Sequence, residues 1–460
     1  MKSWNGLRIL ILGGARQGLA LARFLARNGA QVTINDQRPA EQMQTAQASL
    51  AGLPVRWVLG SHPVSLLDDT DVVCLSGGIP LTIPLVVEAS RRGLPVSNDS
   101  QIFMEAVPCP VIGITGSAGK TTTTTLVGRM AARAIQAPRK AWVGGNIGMP
   151  LIDHLEEISP SDMVILELSS FQLDQMTVSP QIAAVLNITP NHLDRHGNLE
   201  AYTAAKARLL AFQSPADIAV LDRDDPGAWK LAGQVLGRLV SFGLSCPPPG
   251  QAGSFIRDDR LVLQDGDKEI DLMSRELIQL RGEHNLQNVL AACAIAWSAG
   301  FPVEAIQDGV KDFTGVPHRL EFIRTFDGAD WFNDSIATAP ERTMAAILSF
   351  DNPLVLLLGG RDKDLPWGDL AELVHQRVDH VVIFGEAAEK IMQVIGAIQP
   401  GERPFTLVHC SGLQEAVQAA AAVAEPGDVI LFSPGGTSFD EFKDFEERGE
   451  CFRTWVNLLS

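Results

Sequence analysis

The segment Val111-Ile-Gly-Ile-Thr-Gly-Ser-Ala-Gly-Lys-Thr-Thr122 passes from an apolar run, through a glycine turn, into a Lys-Thr pair and a helical continuation. The apolar run reads as a buried strand. Strand, glycine loop and helix start together form a phosphate cradle. Gly116, Ser117, Ala118 and Gly119 can turn backbone N–H groups toward an anion. Lys120 can neutralise β and γ phosphates, and Thr121, followed by Thr122, offers a hydroxyl to magnesium. The spacing is shorter than the general G-x-x-x-x-G-K-[ST], because Ile114 stands where the first glycine would be and Gly116 is the nearest one. A tight turn carrying a solvated lysine is the alternative, and ATP binding is the expectation.

Outward from this loop, the runs Arg8–Leu12, Val72–Leu75, Val164–Leu168 and Ile182–Ile188 alternate with helical patterns. That rhythm predicts parallel sheets with crossover helices. A second series, Leu354–Leu358, Val381–Phe384 and Val429–Phe432, predicts a separate C-terminal α/β domain. The stretch Ser245–Gly253, SCPPPGQAG, predicts a loop between peripheral strands. For 460 residues the expectation is three α/β domains: 1–98 Rossmann-like, 99–314 P-loop ATPase-like and 315–460 Rossmann-like. Near the start, Gly13-Gly-Ala-Arg-Gln-Gly18 with Asp36 has the form of a degenerate dinucleotide fingerprint. It keeps a nicotinamide oxidoreductase open as a rival.

The formal charge of −17 opposes phosphate-backbone attraction and argues against nucleic acid as a partner. Acidic substrates must therefore be met by local cations and backbone amides. The six cysteines have no paired spacing and read as buried thiols of a reducing, cytoplasmic compartment. No apolar run approaches membrane-spanning length.

Further motifs carry chemistry. Val164-Ile-Leu-Glu-Leu-Ser-Ser-Phe-Gln172 sets one carboxylate, Glu167, in an apolar strand, where ionisation asks for a cation and magnesium suits; a strand-end Glu facing solvent is the alternative. Asn187-Ile-Thr-Pro-Asn-His-Leu-Asp-Arg-His196 precedes a helix containing Lys206, for which an exposed helix salt bridge is the bland reading. In Gly282-Glu-His-Asn-Leu-Gln-Asn288 two amides three residues apart suit adenine, with helix capping by Asn285 as the alternative.

These motifs resemble those of the Mur ligase family, whose shortened loop is usually T-G-[ST]-N-G-K-[ST]-T; this chain has Ala118 at the asparagine. The resemblance spans the chain in order and implies ATP and magnesium, two ions, as cofactors. It implies metal ligation by Thr121, Glu167, His192 and a CO2-modified Lys206, although Asn191 stands where an aspartate often precedes the histidine. It puts ATP contacts on Asn285, Asn288, Arg319 of Gly315-Val-Pro-His-Arg-Leu-Glu321, and Asp334. Arg16, Gln17, Asp36, Arg38, Ser76, Gly78, Asn146 and Ser169 fall at positions that bind a UDP-linked substrate. For Asn146 a turn residue is the alternative, and for Arg319 a surface charge.

The segment Ser433-Pro-Gly-Gly-Thr-Ser-Phe-Asp-Glu-Phe-Lys-Asp-Phe-Glu-Glu-Arg-Gly449 resembles that of the family members that add D-glutamate to UDP-N-acetylmuramoyl-L-alanine. The resemblance gives D-glutamate contacts to Thr338, Lys363 of Gly359-Gly-Arg-Asp-Lys363, Ser438 and Phe445. Phe439, Phe442 and Phe445 as a helical core stripe, and Lys363 as a surface charge, are the alternatives. Asn333-Asp-Ser-Ile-Ala-Thr-Ala-Pro340 resembles N-D-S-K-A-T with Ile336 in place of the lysine, which Arg342 or Arg361 could replace. The implied reaction is ATP-dependent amide formation through an acyl phosphate, by a monomer whose C-terminal domain closes over the site.

Overall fold

The computed structural model describes residues 3–280, 282–363 and 365–460. It divides into two compact units, Met1–Phe313 and Thr314–Ser460.

In the first unit, five parallel strands, β1 (Arg8–Leu12), β2 (Gln31–Asp36), β3 (Val55–Leu59), β4 (Val72–Leu75) and β5 (Val96–Asn98), are ordered β3-β2-β1-β4-β5. A second sheet follows: β6 (Val111–Thr115), β7 (Ala141–Gly145), β8 (Met163–Glu167), β9 (Ile182–Val185), β10 (Ile218–Asp222), β11 (Arg238–Phe242), β12 (Ala252–Arg257), β13 (Arg260–Asp265) and β14 (Lys268–Ser274). Its order is β14-β13-β12-β11-β10-β9-β6-β8-β7. The chain runs from β6 to β7 and β8 on one side, then crosses to β9 on the other. The loops after β6 and β9 thus part at a topological reversal, where α/β sheets open a ligand crevice.

The second unit has six strands: β15 (Glu321–Phe326), β16 (Ala329–Asn333), β17 (Leu354–Gly359), β18 (His380–Phe384), β19 (Thr406–His409) and β20 (Val429–Gly435), ordered β15-β16-β20-β17-β18-β19. β17 is buried on both faces: Leu354, Leu356 and Leu358 enter one core and Val355 and Leu357 the other. This two-sided burial is why its sequence is a continuous apolar run.

Three expectations need correction. The sheets are not wholly parallel: β12, β13 and β14 form an antiparallel meander and β15 and β16 a hairpin. These strands mix charged with apolar residues, so they leave no continuous hydrophobic run. Their turns use residues with positive φ, Asp258 and Asp259 in one and Asp327 and Gly328 in the other, as two-residue hairpin turns demand. The proline-rich loop ends sooner than expected, because Ala252 and Gly253 already belong to β12. Of the six cysteines, Cys246 is exposed and Cys451 half-buried.

Candidate nucleotide and amino-acid sites

The loop after β6 is tied to the chain after β9. Ser117 N donates to Asn187 O (2.9 Å), Ala118 N donates to Asn187 Oδ1 (2.8 Å), and Asn187 Nδ2 donates to Ala118 O (3.3 Å). Asn187 therefore brackets residue 118 through its main chain, and the Ala118 side chain faces solvent. Ser117 Oγ lies 3.0 Å from Tyr202 Oη, the chain's single tyrosine hydroxyl. Gly119 has φ +79°, and a Cβ there would stand 2.1 Å from Asn288 Oδ1, so glycine is required twice over. Lys120 Nζ donates to Gly116 O (2.8 Å) and Ser117 O (3.1 Å), folded over the cradle it helps build. Asn288 Nδ2 donates to Asn285 Oδ1 (3.1 Å), and Gly282 is the cap of helix Glu283–Ser298, which removes the capping role for Asn285.

At the end of β8, Glu167 is 1% exposed, so the solvent-facing alternative fails. Its Oε1 accepts from Asn146 Nδ2 (3.0 Å), while Oε2 has no partner among the described residues. A buried, half-satisfied carboxylate next to a phosphate loop fits a divalent cation that completes its shell with phosphate oxygens. Lys206, on helix Leu199–Ala211, is also 1% exposed, which removes the surface salt bridge. Its Nζ donates to Gly116 O (2.8 Å) and Thr115 Oγ1 (3.3 Å) and sits 4.7 Å from the Tyr202 ring centre. Burial, joined by repulsion from Lys120, lowers its pKa to about 6 against the pull of Glu167. His192 is exposed at φ +52°, 5.1 Å from the Phe171 ring. The enclosed histidine is instead His196, stacked on Phe171 and 3.0 Å from Ser170 Oγ. Ser169 forms a capping box with Gln172.

Of the positions expected to hold a UDP-linked substrate, Arg16, Gln17, Asp36, Arg38, Ser76 and Gly78 lie at the ends of β1, β2 and β4, neighbours in the first sheet, while Asn146 and Ser169 follow β7 and β8 of the second. Arg16 is exposed, and Gln17 Nε2 donates to Gly145 O (2.9 Å). Asp36 accepts from Arg38 Nη2 (2.6 Å) and Gly14 N (2.8 Å); against the cost of burial, these bonds hold it at about 2. The Gly14 amide is thus spent on the protein, which weakens the dinucleotide alternative. A cleft of about 220 Å³ opens beside Ser76, Gly78, Asp99, Gln172 and Arg195, with Arg195 Nη2 donating to Gly78 O (2.9 Å).

Asp99 is buried with Oδ1 unpartnered among the described residues, and burial raises it to about 6. The unfolded chain releases this proton near pH 4 and the folded one near 6. Stability is therefore full below pH 4 and falls as pH rises through that window, by about 3 kcal/mol. Asp99→Asn should melt higher than the parent at pH 8, with the gap closing by pH 4 in a thermal scan. An equal gap at both pH values would reject this account.

In the second unit, the predicted amino-acid contacts gather where β16, β20 and β17 end side by side. Thr338 Oγ1 accepts from Lys363 Nζ (3.2 Å); Arg361 and Thr437 exchange backbone hydrogen bonds (2.8 Å each way); and Phe445 O accepts from Ser335 Oγ (2.8 Å). Ser438 is buried. Lys363 is exposed, as the surface-charge alternative expects, and desolvation with the Arg342 and Arg448 charges holds it below its usual pKa. Asp334 accepts from Ser433 Oγ (2.8 Å) and Leu320 N (3.2 Å), and burial outweighs both to raise it to about 6. Arg319 is exposed at the turn before β15, and burial, joined by repulsion from Arg319, lowers the pKa of Arg342. Arg361 is engaged by Glu386 (2.7 and 2.9 Å), which leaves Arg342 as the better replacement for the missing lysine at 336. The phenylalanine stripe is not helical: helix Phe445–Leu458 begins only at Phe445, and Phe439 is 60% exposed.

Asn187, Tyr202, Thr115 and Arg448 carry geometry that the motifs did not single out. A lone tyrosine four residues before a helical lysine was the available signal for Tyr202.

Family models match the chain in three successive stretches. Residues 7–98 match the Mur ligase MurD-like N-terminal domain, 114–296 the Mur ligase middle domain, and 318–436 the Mur ligase glutamate ligase domain. The chain belongs to the Mur ligase family, whose members are ATP-dependent ligases of peptidoglycan precursor synthesis. A Symbiobacterium thermophilum protein named UDP-N-acetylmuramoylalanine–D-glutamate ligase is 41% identical over 453 residues, covering 98% of each chain. The fold is also similar to Thermotoga maritima UDP-N-acetylmuramate-alanine ligase MurC (TM-score 0.56, 19% identity, 98% and 99% covered). It is similar as well to the MurF ligase of the same organism in complex with ADP (0.52, 18%, 98% and 95%).

Proposed function

We propose that this chain joins D-glutamate to the alanyl carboxylate of UDP-N-acetylmuramoyl-L-alanine at the expense of ATP. The observation that carries the reading is the placement of Thr338, Ser438 and Lys363 on the loops after three adjacent strands, with Phe445 tied to the first of these loops through Ser335, together with a full-length relative of that name. The substrate carboxylate attacks the ATP γ-phosphorus, forming an acyl phosphate and releasing ADP. The D-glutamate amine, having lost a proton, then attacks the acyl carbon; the amide forms and inorganic phosphate leaves. Lys120 and Arg319 neutralise the transferring phosphoryl oxygens. Asn285 and Asn288 serve the adenine end, with Thr122 and the loop amides on the phosphates. Arg16, Gln17, Asp36, Arg38, Ser76, Gly78, Asn146 and Ser169 hold the UDP-linked acceptor. Lys363 offers its cation to the D-glutamate side-chain carboxylate.

Magnesium fits the orphaned oxygen of Glu167 and the Thr121 hydroxyl, with a carbamate on Lys206 and His192 as further ligands. Bound there, it supplies charge neutralisation to the phosphates. Domain limits of 1–98, 99–314 and 315–460, a cytoplasmic setting and a monomer complete the proposal. Among the described residues no helix is long and apolar enough to cross a membrane.

The test is phosphate release by purified protein over a panel of acceptors and amino acids, with mass detection of the product. Release should require UDP-N-acetylmuramoyl-L-alanine and D-glutamate together, while L-glutamate, L-lysine and diaminopimelate fail. Amide formation on a folate or on a UDP-muramoyl dipeptide would overturn the substrate assignment, and enhanced nicotinamide fluorescence on titration would revive the oxidoreductase.

A further inference from the structure

Arg448 is wholly buried, 0% exposed, on the first turn of helix Phe445–Leu458. Its Nε donates to Ser335 Oγ (3.1 Å), Nη2 to Ser335 O (2.8 Å) and Nη1 to Gly436 O (3.1 Å). Nη1 also stands 2.9 Å from where a Cβ on Gly360 would be. One guanidinium therefore meets the loops that follow β16, β20 and β17, the same three that carry Thr338, Ser438 and Lys363. All three acceptors are neutral; the charges of Asp440 and Glu441 reach it, but among the described residues no carboxylate accepts a hydrogen bond from it. Burial lowers it only to about 10, so it remains a cation at neutral pH, and its charge reaches Lys363.

A buried cation with no carboxylate in direct contact is costly to a fold. That cost is offset further when a ligand brings another anion close. We infer that Arg448 is a positioning residue of the amino-acid site: it sets three loops around the incoming amino acid and supplies a buried charge, bonded directly only to neutral groups, that favours a dicarboxylate over its amide. The inference rests on the functional reading above and names what selects the substrate.

The full-length protein is assayed with D-glutamate and with D-glutamine, as the parent and as Arg448→Met and Arg448→Lys. Arg448→Met should raise the D-glutamate KM by ~10- to 30-fold and cut the preference over D-glutamine by ~10-fold, with the KM for ATP unmoved. Arg448→Lys, which keeps the charge and loses the three-way tie, should hold the preference while kcat falls. An equal KM rise for both amino acids would mean a structural role alone and overturn the inference. If Arg448→Met does not fold, loss of preference in Arg448→Lys overturns it as well. A parent that accepts D-glutamate alongside variants with unchanged KM removes this inference alone; a parent that rejects D-glutamate removes the functional reading with it.

Discussion

Lys206→Ala is expected to lower kcat by roughly 10³-fold while ATP affinity stays within a few-fold of the parent. The side chain lies beneath the phosphate loop, bonded to Gly116 O and Thr115 Oγ1, and does not reach outward to solvent. With its pKa near 6, the amine is largely neutral at pH 7.5 and so is nucleophilic. Attack of the neutral amine on CO2 forms an N–C bond as one C=O π bond opens onto oxygen, and loss of one N–H proton leaves a buried carbamate anion. Intact mass in bicarbonate should then rise by one CO2, an increment absent from Lys206→Ala. Bicarbonate dependence should disappear below about pH 6, where the amine is protonated. Calorimetric titration with ATP separates this outcome from simple misfolding. Full activity of the alanine variant, or of an unmodified amine, would refute the carbamate.

Glu167→Gln should cost roughly 10²- to 10³-fold in kcat/KM and weaken magnesium dependence, yet leave the ligand-free protein as stable as the parent or more so. The opposed signs come from one atom. Among the described residues Oε2 is buried with no hydrogen-bond partner, so an ionised carboxylate is a burden to the empty fold and an asset only once a cation arrives. Glutamine preserves the shape and the acceptor for Asn146 Nδ2 while discarding the charge. Titration of magnesium against turnover, alongside thermal melts without ligands, measures both signs. A variant that lost stability and activity in parallel would show that Glu167 is a packing residue.

Much of this was legible in the sequence because the decisive groups sit where the chain has little choice. β6, β8 and β17 are buried on both faces, so they read as apolar runs, and the chemistry follows them immediately at Gly116, Glu167 and Gly359. The meander β12–β14 and the hairpin β15–β16 were passed over because half-exposed strands carry charges; Asp327-Gly328 was their clearest sign. Lys206 announced itself only by resemblance, since a lysine on a helix has no local mark of burial. Arg448 and Asn187 were invisible for another reason. Their partners lie 113 and 69 residues away in sequence, and only the ordering of strands brings them together.

That ordering has a consequence for how such a protein can change over time. The phosphate loop owes its location to the crossing from β8 to β9, which leaves a gap at the ends of β6 and β9, and its shape to the grip of Asn187 on the main chain at residue 118. Neither depends on which side chain residue 118 carries. An asparagine can therefore be lost there without the address being lost, and substitutions at 118 form a nearly neutral path along which nucleotide preference can wander. At residue 119, held at φ +79° against Asn288, no such path exists.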